Sequence, residues 1–273
     1  MVRPGSHPPG SHPLEFHCLE LERWPEPEDK GQAGVGVMSA RAREARRCSA
    51  AGRWLIQRTL SAALGLTPAD IILDAGEHGK PRCASAGAAG LAFNLSHSGG
   101  LVVLALGQAD HVGVDIEEKR RASQVRRSAG RFFADEERAL RDALTPDRAE
   151  RQALVWWVLK EAAIKAIGRT VFDGLSGVRV ELKENGPLLL TLPDAWESRF
   201  CWRLAVGPFG RRHLLAIAVA SAEDESRAAI GPIPVFDPHR PDVVSTWTPD
   251  LAGSVVGSPG SCAGTATGRQ SAG

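Results

Sequence analysis

Val112-Gly113-Val114-Asp115-Ile116-Glu117 alternates apolar and polar residues without a break. In a strand, neighbouring side chains point to opposite faces, so Val112, Val114 and Ile116 share one face and Gly113, Asp115 and Glu117 the other. Two acids at i and i+2, beside a glycine that lets a ligand approach the backbone, form a half-site for a hard cation such as Mg²⁺, which prefers oxygen ligands. The same residues, with Glu118, also suit the wet face of an edge strand. These six positions leave both readings open.

About forty residues later comes Trp157-Val158-Leu159-Lys160-Glu161-Ala162-Ala163-Ile164-Lys165. Val155, Leu159, Ala162 and Ala166 recur at helical spacing, and Glu161 and Lys165 lie one turn apart on a neighbouring face, with Lys160 adjoining. Alone, this pattern reads as a salt bridge on a solvated helix, and Trp156 and Trp157 as core. The helix is expected from about Ala149 to Ile167, closed by Gly168. A shorter helical stretch precedes it near Ala134 to Ala143.

Upstream, Cys48, Ala51, Leu55 and Ala62 define a helix from Ala40 to Leu64, with Ser39 as N-cap and Gly65 and Pro68 closing it. Extended runs are expected at Ile71 to Leu73, Leu91 to Asn94 and Leu101 to Leu106. Downstream they fall at Val178 to Lys183, Leu188 to Leu192, Phe200 to Val206 and Leu214 to Ala220. Each half mixes helix with antiparallel strands, so the class is α+β with two similar lobes meeting near residues 108 to 118.

The chain has 273 residues, 43% hydrophobic and 24% charged, enough for one substantial core or two smaller ones. A formal net charge of +1 excludes a global basic field for nucleic acid or an anionic membrane, so any anion site is local. Five scattered cysteines without a C-x-x-C pair argue against a disulfide framework or a thiolate metal site. Together with the lack of an apolar leader or spanning run, they point to the cytoplasm. Residues 1–13, with Gly-Ser-His-Pro repeats that include His7 and His12, and residues 226–273, rich in Pro, Gly, Ser and Ala, read as disordered tails. Between them, 14–110 and 111–225 form the expected N- and C-terminal lobes.

In order along the chain come Glu77-His78-Gly79-Lys80-Pro81, Phe93-Asn94-Leu95-Ser96-His97-Ser98-Gly99, Gly113-Val114-Asp115-Ile116-Glu117, Phe132-Phe133 and the Trp157 to Lys165 segment. This series resembles the Sfp-type 4′-phosphopantetheinyl transferases over roughly residues 15 to 225. The family patterns (V/I)-G-(I/V)-D and W-x-x-K-E-x-x-x-K are matched at every polar position. The resemblance implies a monomer of two pseudo-twofold-related α+β lobes, each a small mainly antiparallel sheet with a long helix, and an active site in the cleft between them. It implies transfer of the phosphopantetheine arm of coenzyme A to a serine of an acyl or peptidyl carrier protein, releasing 3′,5′-ADP.

By the same resemblance, Mg²⁺ would be held by Asp115, Glu117 and Glu161, offsetting charge on the pyrophosphate. Glu161 would alternatively accept the serine proton, directly or through a metal-bound water. Lys160 and Lys165 would pair with phosphate oxygens. His97 and Ser96, in an Asn-Leu-Ser-His-Ser turn, would contact the pyrophosphate, and Lys80 and Pro81 would lie near the nucleotide. Among the helix arginines Arg41, Arg43, Arg46, Arg47 and Arg53, the 3′-phosphate is assigned to Arg46 and Arg47, whose alternative is a solvated helix face. Lys119-Arg120-Arg121 with Arg126, Arg127 and Arg131 is either a docking surface for an acidic carrier or a soluble basic loop. Arg169-Thr170-Val171-Phe172 departs from the Lys-Gly pairing frequent in the family. Two competing readings are a non-catalytic carrier-binding homologue and a metal-dependent phosphoester hydrolase. The hydrolase reading gives no reason for the Ser-His and Gly-Lys-Pro segments.

Overall fold

The computed structural model describes residues 13–24, 39–76, 79–128, 132–170, 172, 175–182, 189–193, 200–222 and 230–255. The first half runs β1 (Glu15–Glu20), α1 (Ala40–Leu64), β2 (Leu73–Ala75), β3 (Pro81–Cys83), β4 (Leu91–Ser98), β5 (Leu101–Gln108) and β6 (His111–Glu118). Then follow α2 (Ala122–Ser128), α3 (Asp135–Asp142), α4 (Pro146–Ala166), β7 (Arg179–Glu181), β8 (Leu189–Thr191), β9 (Cys201–Phe209) and β10 (His213–Ser221). The last elements are β11 (Ile233–Asp237), β12 (Arg240–Trp247) and β13 (Leu251–Val255).

Two sheets dominate, one in the order β12-β11-β1-β5-β4 and the other β13-β9-β10-β6. All their pairings are antiparallel except β1 with β11. Period two in the sequence builds the layers. Val102, Leu104 and Leu106 of β5 pack under α1 with Leu55 and Leu60, while Val103 and Ala105 turn to the other side. There they meet Val112, Val114 and Ile116 of β6 and Leu215, Ile217 and Val219 of β10. The opposite face of the second sheet carries α4. The two sheets therefore pack face to face, with one long helix outside each.

The sequence signals for α1 hold at both ends. The Ser39 side chain accepts from the Ala42 amide, and Gly65 closes the helix in the left-handed conformation, φ 66°. The expectation of a disordered 226–273 fails for residues 230–255. Ile233, Val235 and Phe236 are buried, β11 pairs with β1, and β13 pairs with β9, so this segment extends both sheets. Trp247 packs edge-on against Phe16, and its indole donates to the Pro208 carbonyl at 3.0 Å. Averaging composition over forty residues hid three short strands. The rest of that tail, 226–229 and 256–273, lies outside the described residues, as do residues 1–12. No helix of the described residues is long and apolar enough to cross a membrane.

Candidate active site

The two sheets join along one seam between edge strands, and side chains make that join. Asn94 Oδ1 accepts from the Val114 amide at 2.9 Å, Ser96 Oγ from the Ile116 amide at 3.3 Å and Ser98 Oγ from the Glu118 amide at 3.2 Å. Residues i, i+2 and i+4 of β4 thus satisfy alternate donors of β6 that have no strand partner on that side. The segment expected as an Asn-Leu-Ser-His-Ser turn is strand to Ser98, because this seam needs period-two side chains. The turn follows at Gly99 and Gly100, with φ of 55° and 78°.

Both acids of β6 are buried, Asp115 at 4% and Glu117 at 8% exposure, so the wet edge-strand alternative is excluded. Their neighbour Gly113 serves the helix and not a ligand. A Cβ there would collide with the Ala162 carbonyl and come within 2.8 Å of Ala166 Cα. The absent side chain lets α4 lie directly on β6 and brings Lys165 to the acids. Lys165 Nζ donates to Asp115 Oδ1 at 2.5 Å and to Ser96 Oγ at 3.0 Å, and Ser96 Oγ donates to the same carboxylate oxygen at 2.9 Å. Asp115 Oδ2 is buried with no hydrogen-bond partner. Glu117 accepts from Ser98 Oγ at 2.7 Å and from Arg121 Nη1 at 2.6 and 2.7 Å.

Titration binds these groups into one electrostatic unit. Burial first, then the Asp115 charge, raises the Glu161 pKa to about 7, against the opposing pull of Lys165. Burial and Asp115 also raise Glu117, opposed by Ser98 and Arg121. Burial alone would lower Lys165, but Asp115 and Glu161 hold it above the ordinary lysine value. Among the described residues, no three His, Cys, Asp or Glu side chains stand as a ready group for a metal ion. His97 lies exposed on the other face of β4, its pKa lowered by partial burial and then by the Lys165 ammonium.

Three lysine and arginine assignments change. Lys160 is fully buried on the far side of α4, paired with Glu137 at 2.5 Å and donating to the Phe132 carbonyl at 3.1 Å, so it does not reach the site. Glu137, which the sequence reading missed, also accepts from the Ala134 and Val180 amides at 2.8 and 2.9 Å. Its signal was the acid at the third position of α3, reaching back to the N-cap amide. Lys80 spans the start of β6 and the end of α4, donating to the carbonyls of Val112 at 2.7 Å and Ala166 at 2.6 Å. Burial pushes its pKa down to about 7. Arg47 turns inward to the Leu21 and Trp24 carbonyls at 2.7 and 3.2 Å, whereas Arg46 stays on the exposed face of α1.

Pro81 is exposed and opens β3 opposite Ala75, while Glu77 and His78 lie outside the described residues. Of the proposed docking residues, Arg120 pairs with Glu118 at 2.6 Å and Arg126 with Glu150 at 3.8 Å. Lys119 donates to the Arg211 carbonyl and Arg127 to Ser123, and Arg131 is outside the described residues.

Fold and site define an α+β protein whose two sheets meet at a seam of buried acids completed by a helix lysine. The 4′-phosphopantetheinyl transferase superfamily profile matches residues 111–218, and the 4′-phosphopantetheinyl transferase N-terminal profile matches 35–109. The chain is 32% identical over 159 residues to the 4′-phosphopantetheinyl transferase Sfp of Bacillus subtilis, covering 58% of this chain and 68% of that one. It is 32% identical over 154 residues to the 4′-phosphopantetheinyl transferase HetI of a Nostoc species, covering 56% of this chain and 65% of that one. The chain belongs to the 4′-phosphopantetheinyl transferase family. It spans slightly under two thirds of the length of HetI and of a Thraustochytrium phosphopantetheinyl transferase. A holo-(acyl-carrier-protein) synthase structure from Bacillus anthracis overlays on 41% of this chain and 96% of that chain at 19% identity, with a TM-score of 0.36.

Proposed function

We propose that the chain transfers the 4′-phosphopantetheine group of coenzyme A to a serine of an acyl or peptidyl carrier protein. The observation that carries this reading is the Asp115–Lys165–Ser96 cluster with its unpartnered buried oxygen, in a chain of this family. The serine oxygen attacks the phosphorus that bears the pantetheine, the phosphoanhydride bond breaks, and 3′,5′-ADP leaves with the released electron pair. Lys165 holds a phosphate oxygen by a point charge, fixed in place by Asp115 and Ser96. Glu161, which burial and then the Asp115 charge raise to about 7 without an ion, takes the serine proton where it does not serve as an ion ligand. His97 borders the pyrophosphate.

The residues fit Mg²⁺ by donor type and charge. Asp115 Oδ2 is an orphaned buried acceptor, and burial first, then the Asp115 charge, raises the pKa values of Glu117 and Glu161. Asp115, Glu117 and Glu161 would hold the ion, which supplies charge neutralisation at the breaking anhydride. Arg46 would reach the 3′-phosphate from α1, and an acidic carrier would dock beside Arg126 and Arg127. The chain acts as a monomer in the cytoplasm.

The test incubates an apo carrier protein with coenzyme A and Mg²⁺ and reads its intact mass. Gain of one phosphopantetheine, abolished by a chelator and by Asp115→Ala, supports transfer. Nucleotide release without a modified carrier contradicts it.

A further inference from the structure

The acidic cluster already holds a cation of its own. Arg121 sits in the single 3-10 turn that follows β6, Lys119–Arg121, and its Nη1 contacts both oxygens of Glu117 at 2.6 and 2.7 Å. Glu117 is buried, whereas the Arg121 side chain is 42% exposed, so the guanidinium reaches in from solvent and can swing back to it. Lys165 compensates Asp115 on one oxygen only, leaving Oδ2 buried and bare. A divalent ion seated on that oxygen needs the Glu117 carboxylate that Arg121 covers.

Resting on the metal reading above, we infer that Arg121 is a resident counter-ion that a divalent cation must displace from Glu117, and so sets the affinity of the site for metal. Removing it leaves the three acids with one fewer positive charge and an uncovered ligand. Ser98 keeps Glu117 aimed after Arg121 has gone, because it donates to Glu117 Oε2 while accepting from the Glu118 amide.

The experiment titrates the full chain with Mn²⁺ in the absence of coenzyme A and follows the free-ion signal by electron paramagnetic resonance. Arg121→Gln is expected to bind about fivefold tighter than wild type, the scale set by losing one half-exposed ion pair. Arg121→Lys, which keeps the charge but not the two-oxygen contact, falls between them; if the Gln variant does not fold, Lys must still bind about twofold tighter. Unchanged or weaker binding in the folded variants overturns the inference. Asp115→Asn separates the two claims. If it abolishes binding while Arg121→Gln changes nothing, only the inference fails; if it leaves Mn²⁺ binding intact, or if no variant binds the ion, the metal reading fails with it.

Discussion

Helix α4 carries two lysine–carboxylate pairs of equal length, Lys160 with Glu137 and Lys165 with Asp115, both 2.5 Å. Around Lys160 every group is used: Glu137 also takes two backbone amides, and the lysine donates to a carbonyl and lies over the Phe133 ring at 5.5 Å. Around Lys165 one carboxylate oxygen is left bare and two further acids crowd the pair. The saturated pair around Lys160 is architecture, and the unsaturated one around Lys165 is the candidate site. A buried ion pair is costly unless its remaining lone pairs are satisfied, and the bare oxygen at Asp115, crowded by two further acids, is what marks it as the candidate site.

Substitutions along α4 break this contrast. Lys165→Met should reduce phosphopantetheine transfer roughly a thousandfold, the scale of losing one preorganised charge at a phosphoryl centre. Its urea unfolding midpoint should fall less than that of Lys160→Met, because Lys165 is part-exposed where Lys160 is not; an equal loss of stability would make Lys165 a second Lys160. Lys160→Met should do the reverse and cost about 3–5 kcal/mol of stability by stranding Glu137. The double variant with Glu137→Gln should recover part of that loss, and strict additivity in urea unfolding would show that the pair is not coupled.

Gly113→Ala should cost about 1–3 kcal/mol by forcing α4 off β6, with transfer falling alongside stability. Lys80 gives an effect that depends on pH. Its folded pKa of about 7 lies below the unfolded 10.5, so the unfolded chain binds the extra proton between those values. Wild type should therefore gain stability relative to Lys80→Met as pH rises from about 7 towards 10. A constant difference between urea curves at pH 7 and pH 9.5 would contradict the burial.

Much of this was legible in the sequence, for reasons that differ by residue. Helix α1 was read to its ends because Ser39 and Gly65 encode local backbone geometry. Asp115, Glu117, Glu161 and Lys165 were singled out by spacing and by resemblance, yet the burial of Asp115 and Glu117 was not foreseen, since a strand with acids on one face looks wet until a helix is known to cover it. Lys160 was misplaced although its period argued otherwise: it stands four residues from Trp156 and four from Ile164, both buried. The three strands of 230–255 were lost because pairing, not local propensity, holds them: Val235 of β11 pairs with Phe16 of β1, Leu251 of β13 with Val206 of β9, and β12 folds back on β11.

The intact mass of an apo carrier protein after incubation with coenzyme A and Mg²⁺ tests the central claim most directly, using wild type, Asp115→Asn and Lys160→Met at a temperature where all three are folded. Wild type and Lys160→Met should each add one phosphopantetheine, and Asp115→Asn none. Full modification by Asp115→Asn would contradict it.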